Sequence, residues 1–213
     1  MRIDKINKIY NNLAKYISNP KTELKYSNSY TFLVSVVLSA QATDKSVNTA
    51  TKKLFKIIKT PKDMIRLGEE KLKLYIKTIG LYNSKAKNII NLSKIITEKY
   101  NGKVPNKFEL LTSLPGVGNK TASVYQNEIL NMPRIAVDTH VFRVSNRLGL
   151  VKTKNADETQ IKLEAITPKK WLKSAHHLLI LHGRYTCKSQ NPMCSDCTVL
   201  KFCSYKNKNE KNK

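Results

Sequence analysis

Four thiols, one amine and one carboxylate carry the chemistry this sequence can offer. The thiols are Cys187, Cys194, Cys197 and Cys203, the chain's only cysteines, spaced C-x6-C-x2-C-x5-C within its last 27 residues. Clustered in one short loop, they fit a single four-thiolate site better than two disulfides, which a reducing cytosol would not preserve. Structural zinc and a [4Fe–4S] cluster both accept four cysteine thiolates. Zinc sites more often join two short Cys-x-x-Cys pairs, and the single short pair here tilts the reading towards iron–sulfur. On either reading the 187–203 loop depends on its metal to fold.

The amine is Lys120. It follows Leu114-Pro115-Gly116-Val117-Gly118-Asn119 and precedes Thr121-Ala122, between helix-like stretches at 107–113 and 119–130. Gly116 and Gly118 around a valine permit a tight turn with unusual backbone angles. Val117 can fold inward as a plug while neighbouring N–H groups point outwards. Those donors, followed at once by a helix N-terminus, suit a DNA phosphate. A Gly-x-Gly turn alone merely joins helices; Pro115 before it and Lys120-Thr121-Ala122 after it make the string more specific. Lys120 falls in the first turn of that helix, where the dipole's positive end disfavours a further cation. A neutral amine there can attack a sugar carbon and form a Schiff base.

The carboxylate is Asp138, in Val137-Asp138-Thr139-His140. Taken alone the segment reads as a helix N-cap. A capping carboxylate that accepts backbone N–H bonds also stays ionised, which suits a group steadying a developing sugar cation. The two roles are compatible.

Helices must position these groups. Ile3, Ile6, Tyr10, Leu13 and Ile17 make one face of a first helix, and Ala86, Ile89, Ile90 and Ile96 repeat the spacing later. Thr60-Pro61-Lys62-Asp63 sets a cap, a first-turn proline and an N3 carboxylate in order, and Thr167-Pro168 announces a start before Trp171. The longest apolar run, 30–42, is broken by Ser35, Ser39 and Gln41; too short for a bilayer, it reads as a buried helix. No sustained two-residue alternation with hairpin turns is visible, so the expectation is an all-α fold. The tail 204–213 is expected to fray.

The net charge is +24, from 39 basic against 15 acidic residues. A polyanion is the partner this suggests, since each neutralised phosphate releases counterions. Only six of the 39 are arginines, and a chain rich in Lys, Ile and Asn together also reflects a biased genome. No N-terminal segment reads as a signal peptide, so a soluble cytoplasmic protein without membrane contact is expected, nucleoid-associated if the source is bacterial.

Lys120 after its glycine hairpin, Asp138 in Val-Asp-Thr-His and the cysteine tail together resemble the endonuclease III family of helix-hairpin-helix DNA glycosylases. The strings Leu38-Ser39-Ala40-Gln41-Ala42-Thr43-Asp44, Gly80-Leu81-Tyr82-Asn83-Ser84-Lys85-Ala86 and Leu181-His182-Gly183-Arg184-Tyr185-Thr186-Cys187 extend the resemblance over roughly 20–205. It implies two all-α domains flanking a DNA-binding cleft. One is a six-helix domain, 22–132, carrying the hairpin of 107–130; the other, 1–21 plus 133–213, holds a [4Fe–4S] cluster on the four cysteines. It further implies a monomer acting on double-stranded DNA with a damaged pyrimidine or an abasic site, by N-glycosylase and β-elimination steps through Lys120 assisted by Asp138. Gln41 and Leu81 would fill the gap left by the flipped nucleotide, although pattern alone makes them a surface glutamine and a core leucine. Arg143, Arg147, Arg184, Lys188 and Lys201 are candidates for backbone contact or plain solvated charges. His140, His176, His177 and His182 read as packing or supporting groups, since the cysteines complete a four-ligand set.

Three rivals remain. An adenine-mismatch glycosylase typically lacks lysine at the position of Lys120 and carries a further C-terminal domain, for which the ten residues after Cys203 leave no room. A non-catalytic DNA-binding module would need neither Lys120 nor Asp138. A pyrimidine-dimer glycosylase on the same scaffold stays open.

Overall fold

The computed structural model describes residues 2–208, and all regular structure among them is helical. In chain order the helices are α1 (Ile3–Tyr16), α2 (Ser29–Ser39), α3 (Asp44–Ile57), α4 (Pro61–Leu67), α5 (Glu69–Ile76), α6 (Tyr82–Tyr100), α7 (Phe108–Thr112), α8 (Asn119–Ile129), α9 (Thr139–Arg147), α10 (Ala156–Ile166) and α11 (Lys169–Tyr185), before a 3-10 turn at Leu200–Phe202. The all-α expectation holds. No described helix is long and apolar enough to cross a membrane.

The chain divides into two compact units, Glu23–Leu130 and Met1–Thr22 with Asn131–Lys213. The first contains α2 to α8, and α2 is its axis. Tyr30 to Leu38 are buried without a break, as the long apolar run predicts. Phe32, Leu33 and Leu38 are wholly enclosed, and each such side chain contributes about 1.5–3 kcal/mol by leaving water. Asn28 starts α2 through a capping box with Thr31. Thr60 and Asp63 form the capping box their spacing predicts, with Pro61 inside the first turn of α4. Ala86, Ile89, Ile90 and Ile96 of α6 all face the core. The unit holds seven helices where the resemblance implies six; Gly68, at φ 79, divides 61–76 into α4 and α5.

The second unit joins α1 to α9, α10, α11 and the cysteine loop. Ile6, Ile9, Tyr10 and Leu13 of α1 are buried, but Ile3 is 60% exposed and Ile17 lies beyond the helix as its C-cap. The apolar face is therefore shorter than its sequence spacing suggests. Tyr10 stacks on Trp171, and the Trp171 indole N–H donates to Asn7 Oδ1 at 3.0 Å. Gly183 lets α11 approach α9 closely: a Cβ there would lie 3.0 Å from His140 Cβ and from Val144 Cγ2.

One expectation holds with a refinement and one needs correction. α11 does start before Trp171, as Thr167-Pro168 announces, although Thr167 is not its cap. Thr167 ends α10 as a buried C-cap, and its hydroxyl lies 3.2 Å from the Tyr10 hydroxyl; Pro168 takes the N-cap position. The start of the tail, by contrast, is not frayed. The Ser204 N–H donates to the Arg147 carbonyl at 3.0 Å, and the Tyr205 ring lies beneath the Arg147 guanidinium. Residues 209–213, the rest of the expected tail, lie outside the described residues.

Candidate functional site

The hairpin is built by α7, α8 and the plug between them. Val117 is buried as expected, and its N–H donates to the Leu114 carbonyl at 3.0 Å to close the turn. Gly116 has φ 78, and a Cβ there would meet Asn88 Cβ at 3.1 Å and Val37 Cγ1 at 3.3 Å. Gly118 differs: it is extended, at φ −92 and ψ −179, with nothing within 4 Å of a Cβ position. Only Gly116 therefore needs glycine for its backbone angles. Gly118 is the N-cap of α8, contributes no side chain to that end, and leaves open space there. A helix N-terminus capped by backbone alone is a natural seat for an anion. Lys120 follows in the first turn of α8 and is exposed.

Two further turns in the same unit carry Gln41 and Leu81. Both residues are left-handed, at φ 53 and φ 60, which costs a non-glycine residue conformational energy. Gln41 is exposed, and Leu81, 60% exposed, stands as N-cap of α6. The core reading of Leu81 is thus corrected: the left-handed turn sets its apolar side chain in solvent. A Cβ on Gly80 would lie 3.9 Å from the Gln41 carbonyl, so the two turns are neighbours. Lys85 is buried beneath them, a feature sequence reasoning passed over.

Asp138 belongs to the other unit, so Lys120 and Asp138 lie in different units. It is the N-cap of α9, and its Oδ1 accepts the backbone N–H of His140 at 2.9 Å and of Val141 at 2.8 Å. The approach 135–137 is pinned by two side chains. Glu164 accepts the Ile135 N–H at 2.9 Å, and His176 Nδ1 lies 2.7 Å from the Ala136 carbonyl. Half-buried His140 sits beside the cap; burial lowers its pKa and the Asp138 charge opposes that shift.

The four cysteines gather after α11. Cys194 is buried and the other three are half-buried; Cys187, Cys197 and Cys203 pack against the core of their unit. Burial pushes the Cys197 thiol up to about 11, and the charges of Cys187, Cys203 and Cys194 add to that rise. Cys203 is raised too, chiefly by burial. Neighbouring buried thiols resist ionising together unless a cation compensates them, which is the condition a metal centre meets. Among the described residues no three His, Cys, Asp or Glu side chains close to the spacing of a single-ion site. Buried His182 supports the loop, its Nε2 lying 3.7 Å from Cys197 Sγ, and burial lowers its pKa to about 4.

Arg143 and Arg147 brace this loop from α9. Arg143 donates to the Cys187 carbonyl through Nε at 3.1 Å and Nη2 at 3.0 Å, and to Gly183 at 2.9 Å. Arg147 reaches the Lys188 carbonyl at 2.6 Å and the Ser189 carbonyl at 3.0 Å, with Nη1 lying 3.6 Å from Cys187 Sγ. Sequence reasoning saw their charge and missed these partners, which are some 40 residues away. Arg184 is half-buried near the end of α11, and Lys188 and Lys201 are exposed.

A model of HhH-GPD superfamily base excision DNA repair proteins matches residues 34–169. Over 205 residues the chain is 54% identical to an endonuclease III of Rickettsia conorii, spanning 96% of this chain and 98% of that protein. It is 50% identical to endonuclease III of Escherichia coli K12, across 89% of this chain and 90% of the relative. Among solved structures, a trapped endonuclease III–DNA covalent intermediate superposes with a TM-score of 0.90 at 42% identity, with 96% of each chain covered.

Proposed function

The chain belongs to the HhH-GPD superfamily of base excision DNA repair proteins, within it to the endonuclease III family, and we propose that it excises oxidised pyrimidines from duplex DNA and cuts the abasic site through a Schiff base on Lys120. It is a DNA glycosylase and AP lyase of base excision repair. The observation that carries the residue assignment is the placement of Lys120 in the first turn of α8, directly after the Gly116–Gly118 hairpin. A related enzyme caught as a covalent intermediate with DNA supports a protein nucleophile.

The chemistry then runs as follows. The Lys120 amine, once it has given up its proton to solvent, attacks C1′ of the flipped nucleotide, and the bond from C1′ to the base breaks. The base leaves with the electron pair and takes up a proton. Asp138, held by two backbone N–H bonds to its Oδ1, stabilises the positive charge that develops on the sugar. The nitrogen loses a proton as the sugar ring opens, giving an iminium ion. Loss of a C2′ proton expels the 3′ phosphate by β-elimination, and water hydrolyses the imine to restore the amine.

The remaining residues bind and orient. Gly116 and Gly118 shape the turn that offers N–H groups to a phosphate, while Gln41 and Leu81 enter the gap left by the flipped nucleotide. Arg184, Lys188 and Lys201 approach the DNA backbone, and Arg143 and Arg147 contribute through the loop they brace. Cys187, Cys194, Cys197 and Cys203 hold a [4Fe–4S] cluster. The C-x6-C-x2-C-x5-C spacing, with a single short Cys-x-x-Cys pair, favours that cluster over zinc. The cluster supplies structure to the loop. The enzyme acts as a monomer on double-stranded DNA in the cytoplasm.

Borohydride trapping tests the reading, with cluster-loaded protein and a duplex carrying one thymine glycol. A covalent protein–DNA band is expected. No band with that substrate, nor with a plain abasic site, would remove the lysine mechanism.

A further inference from the structure

We infer that Lys85 is a positioning residue that locks the Gln41 and Leu81 turns into one unit for entry into the duplex; the inference rests on the reading above of those two side chains.

Lys85 is 5% exposed, an unusual place for an ammonium group. Its Nζ donates to the Leu38 carbonyl at 2.9 Å and to the Ala40 carbonyl at 2.5 Å. Those carbonyls lie at the C-terminal end of α2, where the helix leaves acceptors without intrahelical partners. α2 carries no basic residue in its own last turn. Lys85 therefore supplies, from α6, the cation that the negative end of α2 favours. Burial lowers its pKa, and the two carbonyls oppose that loss of charge by accepting from the ammonium form.

The placement of those bonds gives the role. Ala40 immediately precedes Gln41, so the side chain of Lys85 fixes the entry to the Gln41 turn. Its backbone N–H donates to the Leu81 carbonyl at 3.0 Å, the first bond of α6, so the side chain that holds Ala40 springs from the turn that begins at Leu81. The two turns lie against one another, a Cβ position on Gly80 being 3.9 Å from the Gln41 carbonyl. Two left-handed non-glycine residues at adjacent exposed turns need a restraint from below, and Lys85 bonds to both segments. A glycosylase that unstacks DNA gains from an amide and an apolar tip held in fixed register, because flexible tips would have to be ordered during entry.

The test uses the cluster-loaded, full-length protein and a duplex carrying a tetrahydrofuran abasic analogue opposite 2-aminopurine. Wild-type protein is expected to raise the fluorescence by unstacking the reporter. Lys85→Met should still bind the duplex but lose most of that rise, with affinity for the analogue reduced about tenfold. Lys85→Gln, which keeps a donor, should recover part of the signal, and it carries the comparison if the methionine variant does not fold. Gln41→Ala with Leu81→Ala should lose the rise as well, and adding Lys85→Met to that pair should weaken binding no further. A full rise from Lys85→Met, or a loss that multiplies fully with the Gln41 and Leu81 changes, overturns the inference alone. No rise from wild-type protein overturns the insertion reading and this inference with it.

Discussion

The Asp138 carboxylate accepts the backbone N–H of Val141 at 2.8 Å and so closes the first turn of α9. This gives one side chain two separable duties. Asparagine caps nearly as well as aspartate, so Asp138→Asn should melt close to wild type while excision slows by about 100- to 1000-fold. Asp138→Ala should show the same slowing and lose about 1 kcal/mol of stability. Thermal denaturation beside single-turnover excision separates the two duties; an Asp138→Asn protein of normal rate would leave only the cap.

Lys120→Gln removes the amine and keeps the hairpin. Borohydride should then trap no adduct, and strand cutting at an abasic site should fall to background. DNA affinity should drop only slightly, and the slope of log affinity against log salt should change by about one unit at most. Normal cutting by this variant would assign the nucleophile elsewhere.

The two hairpin glycines should respond differently to the same methyl group. At Gly116 it meets φ 78 and an Asn88 Cβ at 3.1 Å, so Gly116→Ala should cost about 1–2 kcal/mol in a denaturation experiment. At Gly118 it meets open space and an ordinary backbone. Gly118→Ala should therefore fold normally and bind DNA less well, the signature of a surface that a phosphate approaches. Equal melting temperatures for the two variants would contradict this account.

Arg147→Met should loosen the cysteine loop without touching a cysteine. Its cluster should bleach faster under chelator, followed by visible absorbance, while the α-helical circular dichroism of the whole chain changes little. Arg147→Lys should not restore the wild-type rate, because an ammonium lacks the planar fork that serves the Lys188 and Ser189 carbonyls together. Cys197→Ala should fail to load the cluster at all.

What was legible in the sequence was local. Thr60 and Asp63 announce a capping box because every partner lies within four residues, and Val117 can be read as a plug because its flanking glycines fix the turn. Thr167-Pro168 marks the start of α11 correctly, but the Thr167 hydroxyl's partner, Tyr10, is 157 residues away and could not be read there. Leu81 misled because an apolar side chain implies a core until its left-handed backbone is known. Lys85 did leave a trace: with Ile89, Leu92 and Ile96 it occupies the buried stripe of α6. A lysine on such a stripe announces a buried acceptor, though not which one. The carbonyls braced by Arg143 and Arg147 left no comparable trace, since backbone acceptors have no residue type.

Packing α1 with segments from the far end of the chain also sets an order of events during synthesis. The Glu23–Leu130 unit is continuous and can close as soon as it leaves the ribosome. Ile6, Ile9, Tyr10 and Leu13 must wait for α11, which emerges more than 150 residues later. At about 5–20 residues per second that interval is on the order of ten to thirty seconds. Throughout it the nascent chain carries one unpartnered apolar helix, and for the last part, once Leu130 is out, a folded unit follows it in the chain; this is a window in which holdase chaperones would find their binding site.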